Sequence, residues 1–140
     1  MLLTIGYERR STEEVIALLR DAGVGMVADV RERPMSRRPG FSKARLQQAL
    51  EAHGIKYVHM GALGSPRELR MMTSDLEMAS ECYRQQVLSC NDDALRRLTQ
   101  QASRGRVCLL CYEREPELCH RILIAEEICG RNRRIKITHL

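Results

Sequence analysis

The chain has 140 residues, of which 44% are hydrophobic and 29% charged, and this balance excludes an intrinsically disordered protein. The net charge of +5 suits an anionic partner such as a nucleotide or nucleic acid. No apolar run approaches the roughly 20 residues that a membrane span needs, and charged residues interrupt the first ten positions. We therefore expect a cytoplasmic protein without a membrane partner, in which the six cysteines are reduced thiols.

Short apolar runs alternate with helical patterns along the chain. Strands are predicted at 2–6, 25–30, 55–59, 106–111 and 133–138. Helices are predicted between them, beginning at Ser11, Ser42, Ser74, Asn91 and Pro116 and ending near 22, 53, 90, 104 and 130. This alternation predicts an α/β fold: a single three-layer domain over residues 1–140, with a mostly parallel sheet of about five strands and helices on both faces.

Ionisable side chains follow four of the predicted strands. They are Tyr7 and Glu8 after the first, Asp29 and Arg31 after the second, His59 after the third, and Cys111 and Glu113 after the fourth. Because parallel strands end at the same edge of a sheet, and ligands bind outside that edge, we expect these residues to line one crevice.

The stretch from Arg31 to Lys43 is basic and contains two prolines. It offers Arg31, Arg37, Arg38 and Lys43, together with Ser36, as candidate anion-binding residues, because arginine grips phosphate or carboxylate with two hydrogen bonds. A second interpretation, a solvated basic loop without a ligand, is left open by the sequence.

Cys111, Cys119, His120 and Glu113 are the candidate catalytic residues. Cys119 is predicted in the first turn of a helix beside His120 and Arg121, and both surroundings lower the pKa of a thiol. Either cysteine can therefore be a nucleophile, with His120 and Glu113 moving protons, or an inert buried thiol. Arg121 is expected to pair with an anion, which would be Asp29, Glu113 or a ligand.

Cys108 and Cys111 form a C-x-x-C pair, but residues three apart on a strand point to opposite faces, so a redox pair is not expected. A zinc site made from Cys111, Cys119, His120 and His59 is a further alternative. It is disfavoured because adjacent cysteine and histidine residues rarely both reach one ion, and no metal or cofactor is predicted.

Taken together, several motifs resemble the family called "domain of unknown function 488". They are Thr4-Ile5-Gly6-Tyr7-Glu8, Asp29-Val30-Arg31 with Pro34 and Ser36-Arg37, Gly40-Phe41-Ser42-Lys43, Gly54-Ile55-Lys56-Tyr57 with Leu63-Gly64, and Cys111-Tyr112-Glu113 with Cys119-His120-Arg121. The resemblance implies a single α/β domain in a bacterial cytoplasm and no established activity. It also implies a longer, aromatic-containing acidic stretch after Gly64, which this chain replaces with a compact segment at 71–75. A weaker similarity to rhodanese-like domains concerns the fold alone.

The functional hypothesis is an enzyme that binds an anionic substrate, either phosphate-bearing, a nucleotide or a nucleic-acid end. Arg31, Arg37 and Arg121 would hold the anion, and Tyr7, Glu8, Asp29, Ser36 and His59 would line the site. The alternatives are a non-catalytic nucleic-acid-binding module and a zinc-stabilised interaction domain.

Overall fold

The structure, a computed structural model, describes all residues from 1 to 140. Its centre is a five-stranded sheet in the order β3-β2-β4-β1-β5, in which every neighbouring pair is parallel. The strands are β1 Leu2–Gly6, β2 Met26–Asp29, β3 Lys56–His59, β4 Val107–Cys111 and β5 Ile137–His139. The prediction of a mostly parallel sheet of about five strands is confirmed, although β5 lies nearer the end of the chain than predicted.

Six helices connect the strands: α1 Thr12–Asp21, α2 Lys43–Glu51, α3 Arg67–Met72, α4 Leu76–Gln86, α5 Asp92–Arg104 and α6 Arg121–Arg131. Three short 3-10 turns lie at Gly61–Leu63, Leu88–Cys90 and Pro116–Leu118. None of the helices combines the length and the apolar character that crossing a bilayer requires.

Local sequence signals explain the limits of α1. Ser11 accepts a hydrogen bond from the Glu14 amide (3.1 Å), and Glu14 in return accepts one from the Ser11 amide (2.7 Å). This predicted capping box supplies partners for amides that the helix itself leaves free, a contribution of about 1 kcal/mol. Gly23 follows the helix at a positive φ of 65°, a conformation that glycine adopts without strain.

The structure corrects two predicted helix starts and, at Ser42, the predicted cap of a third helix. Asp75, not Ser74, caps α4 by accepting from the Met78 amide, and α3 is a separate helix before it. Ser42 precedes α2, but its hydroxyl donates to the Ser36 carbonyl instead of capping the helix. The helix predicted to begin at Pro116 is divided into a 3-10 turn and α6, so Cys119 lies in the break and not in a first helical turn.

Helices cover both faces of the sheet and create two cores, which confirms the three-layer architecture. The core under α1 and α2 contains Leu3, Ile5 and Leu110 from the sheet. The core under α5 and α6 contains Leu2, Leu109 and Cys111. Successive strand residues alternate between the two cores because side chains along a strand have a period of two.

The crevice expected at the carboxyl edge of the sheet lies between β2 and β4. These neighbouring strands continue in opposite directions: β2 leads through α2 to β3, and β4 leads through α6 to β5 on the far side of β1. Because α2 and α6 also pack on opposite faces, the two connections diverge and leave space at the strand ends.

Candidate functional site

The sheet divides the predicted site residues into two groups. Asp29 and Tyr7 point to the face covered by α1 and α2, where Tyr7 belongs to the core. Cys111 points to the opposite face and packs with Cys119 under α6. All of them lie at the carboxyl edge as predicted, but they form two clusters on either side of β2 and β4 and do not line one crevice.

The first cluster is a buried ion pair between Asp29 and Arg31, which are 0% and 5% exposed. The guanidinium donates from Nε to Asp29 Oδ1 (2.8 Å) and from an Nη to Asp29 Oδ2 (2.6 Å). Tyr57 donates its hydroxyl to Asp29 Oδ2 (2.6 Å). The other Arg31 Nη donates to the Tyr7 hydroxyl (3.1 Å) and to the Phe41 carbonyl (2.7 Å). The pair therefore joins the ends of β1, β2, β3 and α2.

This arrangement corrects the prediction that Arg31 holds a substrate anion. Burial alone would lower the pKa of Arg31, but the hydrogen bonds and charge of Asp29 outweigh it and raise the pKa above its ordinary value. Burial and the hydrogen bond to Asp29 likewise raise the pKa of Tyr57. Because its donors already serve Asp29, Tyr7 and Phe41, Arg31 fixes the backbone here and does not face a ligand.

The other predicted anion-binding residues, Ser36, Arg37, Arg38 and Lys43, lie in the loop before α2 and in its first turn. Arg37 and Lys43 are exposed and form no ion pair, whereas Arg38 is half-buried and donates to the Arg10 carbonyl (2.6 Å). Ser36 closes the loop, because its amide donates to the Ser42 hydroxyl (3.2 Å). Their role in anion binding stays a prediction, at a distance from the thiols.

Glu8 and His59 fasten loops at the same edge. Glu8 accepts a hydrogen bond from the Arg114 amide (3.0 Å), which holds the loop that follows β4. His59 Nε2 donates to the Arg31 carbonyl (2.9 Å) and so faces the β2 loop rather than the thiols. The predicted fourth zinc ligand is therefore separated from the other three.

The second cluster joins Cys111, Cys119 and His120. Both thiols are 5% exposed. Cys119 Sγ lies 3.8 Å from His120 Nδ1, and His120 Nε2 donates to the Val30 carbonyl (2.9 Å). Because Nε2 must carry a proton to make that bond, the orientation of the ring is fixed and Nδ1 is the atom presented to the thiol. The histidine thus bridges the ends of β2 and α6.

Cys119 is the centre of this cluster and is held as a thiolate. A hydrogen bond from Cys111, the hydrogen bond and charge of His120, and the charge of Arg121 hold the pKa of Cys119 well below its ordinary value of 9.0. The hydrogen bond to Cys119 and burial raise the pKa of Cys111, which keeps its proton. Burial alone would lower the pKa of His120, but its contacts with Cys119 raise the pKa above 6.5. These shifts favour a negative charge on Cys119 beside a positive charge on His120.

Glu113 lies beside both thiols. The Cys111 thiol is 3.4 Å from Glu113 Oε2, and the carboxyl group also contacts Cys119. Burial and the nearby charge of Cys119 raise the pKa of Glu113 above its ordinary value of 4.5. A carboxyl group with a raised pKa keeps its proton to a higher pH than an ordinary one, and the proton-transfer role of Glu113 stays a prediction.

Arg121 is 1% exposed and pairs with neither Asp29 nor Glu113, two of its three predicted partners, and the third, a ligand, stays a prediction. It donates to the carbonyls of Glu113 (2.5 Å) and Arg114 (2.9 Å), and its Nε has no partner. A buried guanidinium needs a compensating negative charge. The Cys119 thiolate, whose pKa this arginine helps to lower, supplies that charge.

Gly6 allows the loop after β4 to approach the sheet. A Cβ atom at this position would lie 1.8 Å from the Glu113 carbonyl oxygen, the same atom that accepts from Arg121. We expect Gly6→Ala to lower the free energy of unfolding by about 1–3 kcal/mol through overpacking. Gly130→Ala is the matched control, because a Cβ there meets no atom within 4 Å. Chemical denaturation of both variants checks this, and equal stability would contradict the proposed close approach.

A pocket of about 250 Å³ opens beside the second cluster. Its floor contains Cys119, His120 and Glu113, and its walls come from α3, α4 and the 3-10 turn at Pro116–Leu118. The polar wall residues are Ser65, Arg70, Thr73, Ser74, Ser80 and Glu117. Cys119 therefore faces the pocket, whereas Cys111 lies behind it and is not part of the lining.

Sequence reasoning missed the walls of this pocket. Tyr83 packs its ring 5.4 Å from the His120 ring and donates its hydroxyl to the Leu63 carbonyl (2.5 Å), while Arg70 stands at the rim. The apolar spacing of Leu76, Ala79 and Tyr83 marks the face of α4 that lines the pocket, although Leu76 is 57% exposed, and was an available signal for Tyr83. No comparable signal marks Arg70.

The three ligand atoms of Cys111, Cys119 and His120 lie within 4.8 Å of one another, so they could hold a soft metal ion such as zinc. The adjacency of Cys119 and His120 does not prevent their convergence, contrary to the argument made from the sequence. Without an ion, each of these side chains still has a polar partner, because Cys111 contacts Glu113 and Cys119 contacts His120.

The fold and the site define an α/β protein with a cysteine–histidine pair in a pocket at the carboxyl edge of a parallel sheet. The chain belongs to the DUF488 family, described as a domain of unknown function, whose family model matches residues 11–128. Comparison with curated proteins and with solved structures gave no match.

Proposed function

We propose that this protein is an enzyme that uses the Cys119 thiolate as a nucleophile on a small anionic substrate. The observation that carries the proposal is the position of Cys119: its sulfur lies 3.8 Å from His120 Nδ1 and within 4.8 Å of the Cys111 sulfur, and the residue lines the pocket. A thiolate held beside an imidazolium, with access for a ligand, is the arrangement of an activated cysteine nucleophile.

Each group in the cluster has a role in such a reaction. Cys119 Sγ attacks an electrophilic atom of the substrate and forms a covalent bond with it. His120 Nδ1 gives its proton to the leaving group. Glu113 then exchanges a proton with the second molecule, which accepts the bound group from Cys119. Tyr83 and the Val30 carbonyl position the imidazole and take no part in the bonds that change.

The charges around the pocket favour an anionic substrate. His120 lies at the floor, and its contacts with Cys119 raise its pKa. Arg70 adds a positive charge at the rim, where its side chain is 55% exposed and pairs with the Glu32 carboxylate at 3.8 Å. Burial raises the pKa of Glu113, so this carboxyl group at the floor opposes an anion less than an ordinary one. Hydroxyl groups of Ser65, Thr73 and Ser80 offer further donors. A carboxylate, a phosphate or the end of a nucleotide matches this size and chemistry.

Nucleic acid is the second candidate partner. Arg10, Arg38 and Arg45 line a separate groove of about 540 Å³ on the face covered by α1 and α2. Arginine side chains along a groove suit a phosphate backbone. We propose a cytoplasmic location, because the six cysteines are free thiols and the mechanism requires Cys119 to be reduced, and a bacterial source is what the family resemblance implies.

Alkylation with iodoacetamide and iodoacetate, followed by peptide mass mapping, tests both the nucleophile and the charge. Cys119 is expected to react because it lines the pocket, whereas Cys108 and Cys111 lie outside the lining and are protected. At Cys119, the ratio of the alkylation rate with negatively charged iodoacetate to the rate with neutral iodoacetamide should be higher than the same ratio at the exposed Cys90. Arg70→Ala is expected to lower that ratio by roughly 2–5-fold, the effect of removing about 0.5–1 kcal/mol of attraction.

Arg67→Ala is the matched control, since Arg67 lies on the same short helix but does not line the pocket. Its ratio should equal that of the unmodified protein. Alkylation of Cys119 no faster than that of the buried thiols would contradict the nucleophile. An iodoacetate preference unchanged by Arg70→Ala would contradict the anionic substrate and leave the nucleophile in place.

A further inference from the structure

We propose that Cys111 and Cys119 form a reversible disulfide during the reduction of small hydroperoxides, with Cys119 as the attacking thiol and Cys111 as the resolving thiol. This inference rests on the nucleophile of the proposed function and does not require its substrate to be an anion. It adds a substrate class and a second reacting residue.

The two sulfur atoms are placed for this bond. They lie within 4.8 Å of each other and belong to the same core cluster. A disulfide requires them to approach to about 2 Å. Cys119 lies in the extended break between the 3-10 turn and α6, and its backbone is hydrogen-bonded only to Pro116 and Ile122 next to it in the chain. A movement confined to this short segment therefore brings the sulfurs together.

Access to solvent assigns the two roles. Cys119 lines the pocket, so an oxidant meets it first. Cys111 lies behind it at the end of β4, protonated and in contact with Glu113. Cys108, the other thiol of the C-x-x-C pair, belongs to the core on the opposite face of the sheet and cannot compete. Only Cys111 can therefore reach an oxidised Cys119 from within the cluster.

The reaction balances without a resident cofactor. The Cys119 thiolate attacks the terminal oxygen of a hydroperoxide: an S–O bond forms, the O–O bond breaks, and the departing alkoxide takes the proton of His120 Nδ1. Cys119 is now a sulfenic acid, oxidised by two electrons. The Cys111 sulfur attacks Cys119 Sγ, an S–S bond forms, and the hydroxyl leaves with the Cys111 proton as water. Two equivalents of a small thiol then reduce the disulfide and become a disulfide themselves.

Burial favours a hydroperoxide over a bulkier electrophile. Both thiols are 95% shielded from solvent, so the reacting part of the substrate must be small. A terminal peroxide oxygen meets this condition, and the rest of the molecule can occupy the pocket of about 250 Å³. The substrate class is therefore a small hydroperoxide, hydrogen peroxide included.

Treatment of the purified, chelator-dialysed protein with hydrogen peroxide tests the inference, with non-reducing peptide mapping as the measurement. The expected product is a Cys111–Cys119 disulfide that dithiothreitol reverses. Cys119 should be oxidised at least about 10-fold faster than the exposed Cys90, since an ordinary thiol is only a few per cent thiolate at neutral pH. Cys111→Ser should stop the reaction at a sulfenic acid on Cys119, trapped by dimedone.

Cys108→Ala is the control and should form the same disulfide as the unmodified protein, and Cys119→Ser should form none. A Cys119 that iodoacetamide alkylates but peroxide leaves unchanged would overturn this inference and leave the proposed function intact. A disulfide from Cys119 to Cys82 or Cys129 would also overturn it. If neither reagent modifies Cys119, both proposals fail together.

Discussion

Replacing Asp29 with asparagine is expected to lower the free energy of unfolding by about 3–5 kcal/mol, because it leaves the charge of Arg31 buried without its counter-ion. Asp29 is 0% exposed, and both of its carboxylate oxygens accept from the Arg31 guanidinium. Asparagine keeps the size of the side chain and can still accept a hydrogen bond, so the loss reports the missing charge. Denaturant unfolding of the two proteins measures the difference.

Glu126→Gln is the matched control. Glu126 pairs with Arg84 at 2.9 Å, but both side chains are about half exposed (53% and 45%), so removing this charge should cost at most about 1 kcal/mol. The double variant Asp29→Asn with Arg31→Met should recover stability relative to Asp29→Asn alone, since it removes the unpaired charge. An Asp29→Asn variant within 1 kcal/mol of the unmodified protein would show that this pair does not hold the strand ends.

The ion pair also has a consequence for the thiol cluster on the other face of the sheet. Asp29 and Arg31 flank Val30, whose carbonyl accepts from His120 Nε2. Fixing the backbone at Val30 fixes the imidazole, and the imidazole helps to hold Cys119 as a thiolate. Asp29 and Arg31 therefore act as positioning residues through the backbone, which differs from the ligand-binding role that the sequence suggested for Arg31.

The sequence was sufficient to predict the elements and the edge where the polar residues meet. Strand β1 and the capping box at Ser11 were predicted from local patterns that depend on few residues. The parallel sheet followed from the alternation of strands and helices. These features are encoded locally, so a single sequence contains the necessary information.

The division into two clusters required the register of the strands. Whether Asp29 and Cys111 share a face depends on how β2 pairs with β4, where Asp29 lies opposite Leu110. A shift of one residue would move every side chain of a strand to the other face. The sequence does not specify this register, so Arg31 and Cys119 were assigned to one site although the sheet separates them.

Local sequence patterns did not predict the position of Cys119 either. Pro116 favours a helix start, which predicted a continuous helix through Cys119. Tertiary contacts of His120 with Val30, and of Arg121 with the carbonyls of Glu113 and Arg114, instead begin α6 at Arg121. The break places the Cys119 sulfur between Cys111 and the pocket, which is the feature on which both proposals depend.

We expect the rate of Cys119 alkylation to depend much less on pH than the rate of an ordinary thiol. Between pH 8 and pH 5 the alkylation rate of a free thiol with a pKa near 8.5 falls by roughly 1000-fold, because the thiolate fraction falls about tenfold per unit. The pKa of Cys119 is lowered, so its thiolate persists as the pH falls, and its rate should change by less than about 3-fold over the same range. Iodoacetamide rates for Cys119, with N-acetylcysteine as the reference, provide the measurement.

The variants Cys111→Ala and His120→Gln should each move the Cys119 profile toward higher pH, because each removes a hydrogen bond that lowers the pKa of Cys119. Cys108→Ala should leave the profile unchanged, since Cys108 lies in the opposite core. The slope is the informative quantity, because a thiolate of low pKa is also an intrinsically weaker nucleophile and its rate at one pH can resemble that of an ordinary thiol. A tenfold fall per pH unit at Cys119 would mean that the thiol is protonated at neutral pH, and the buried charge of Arg121 would then need another partner.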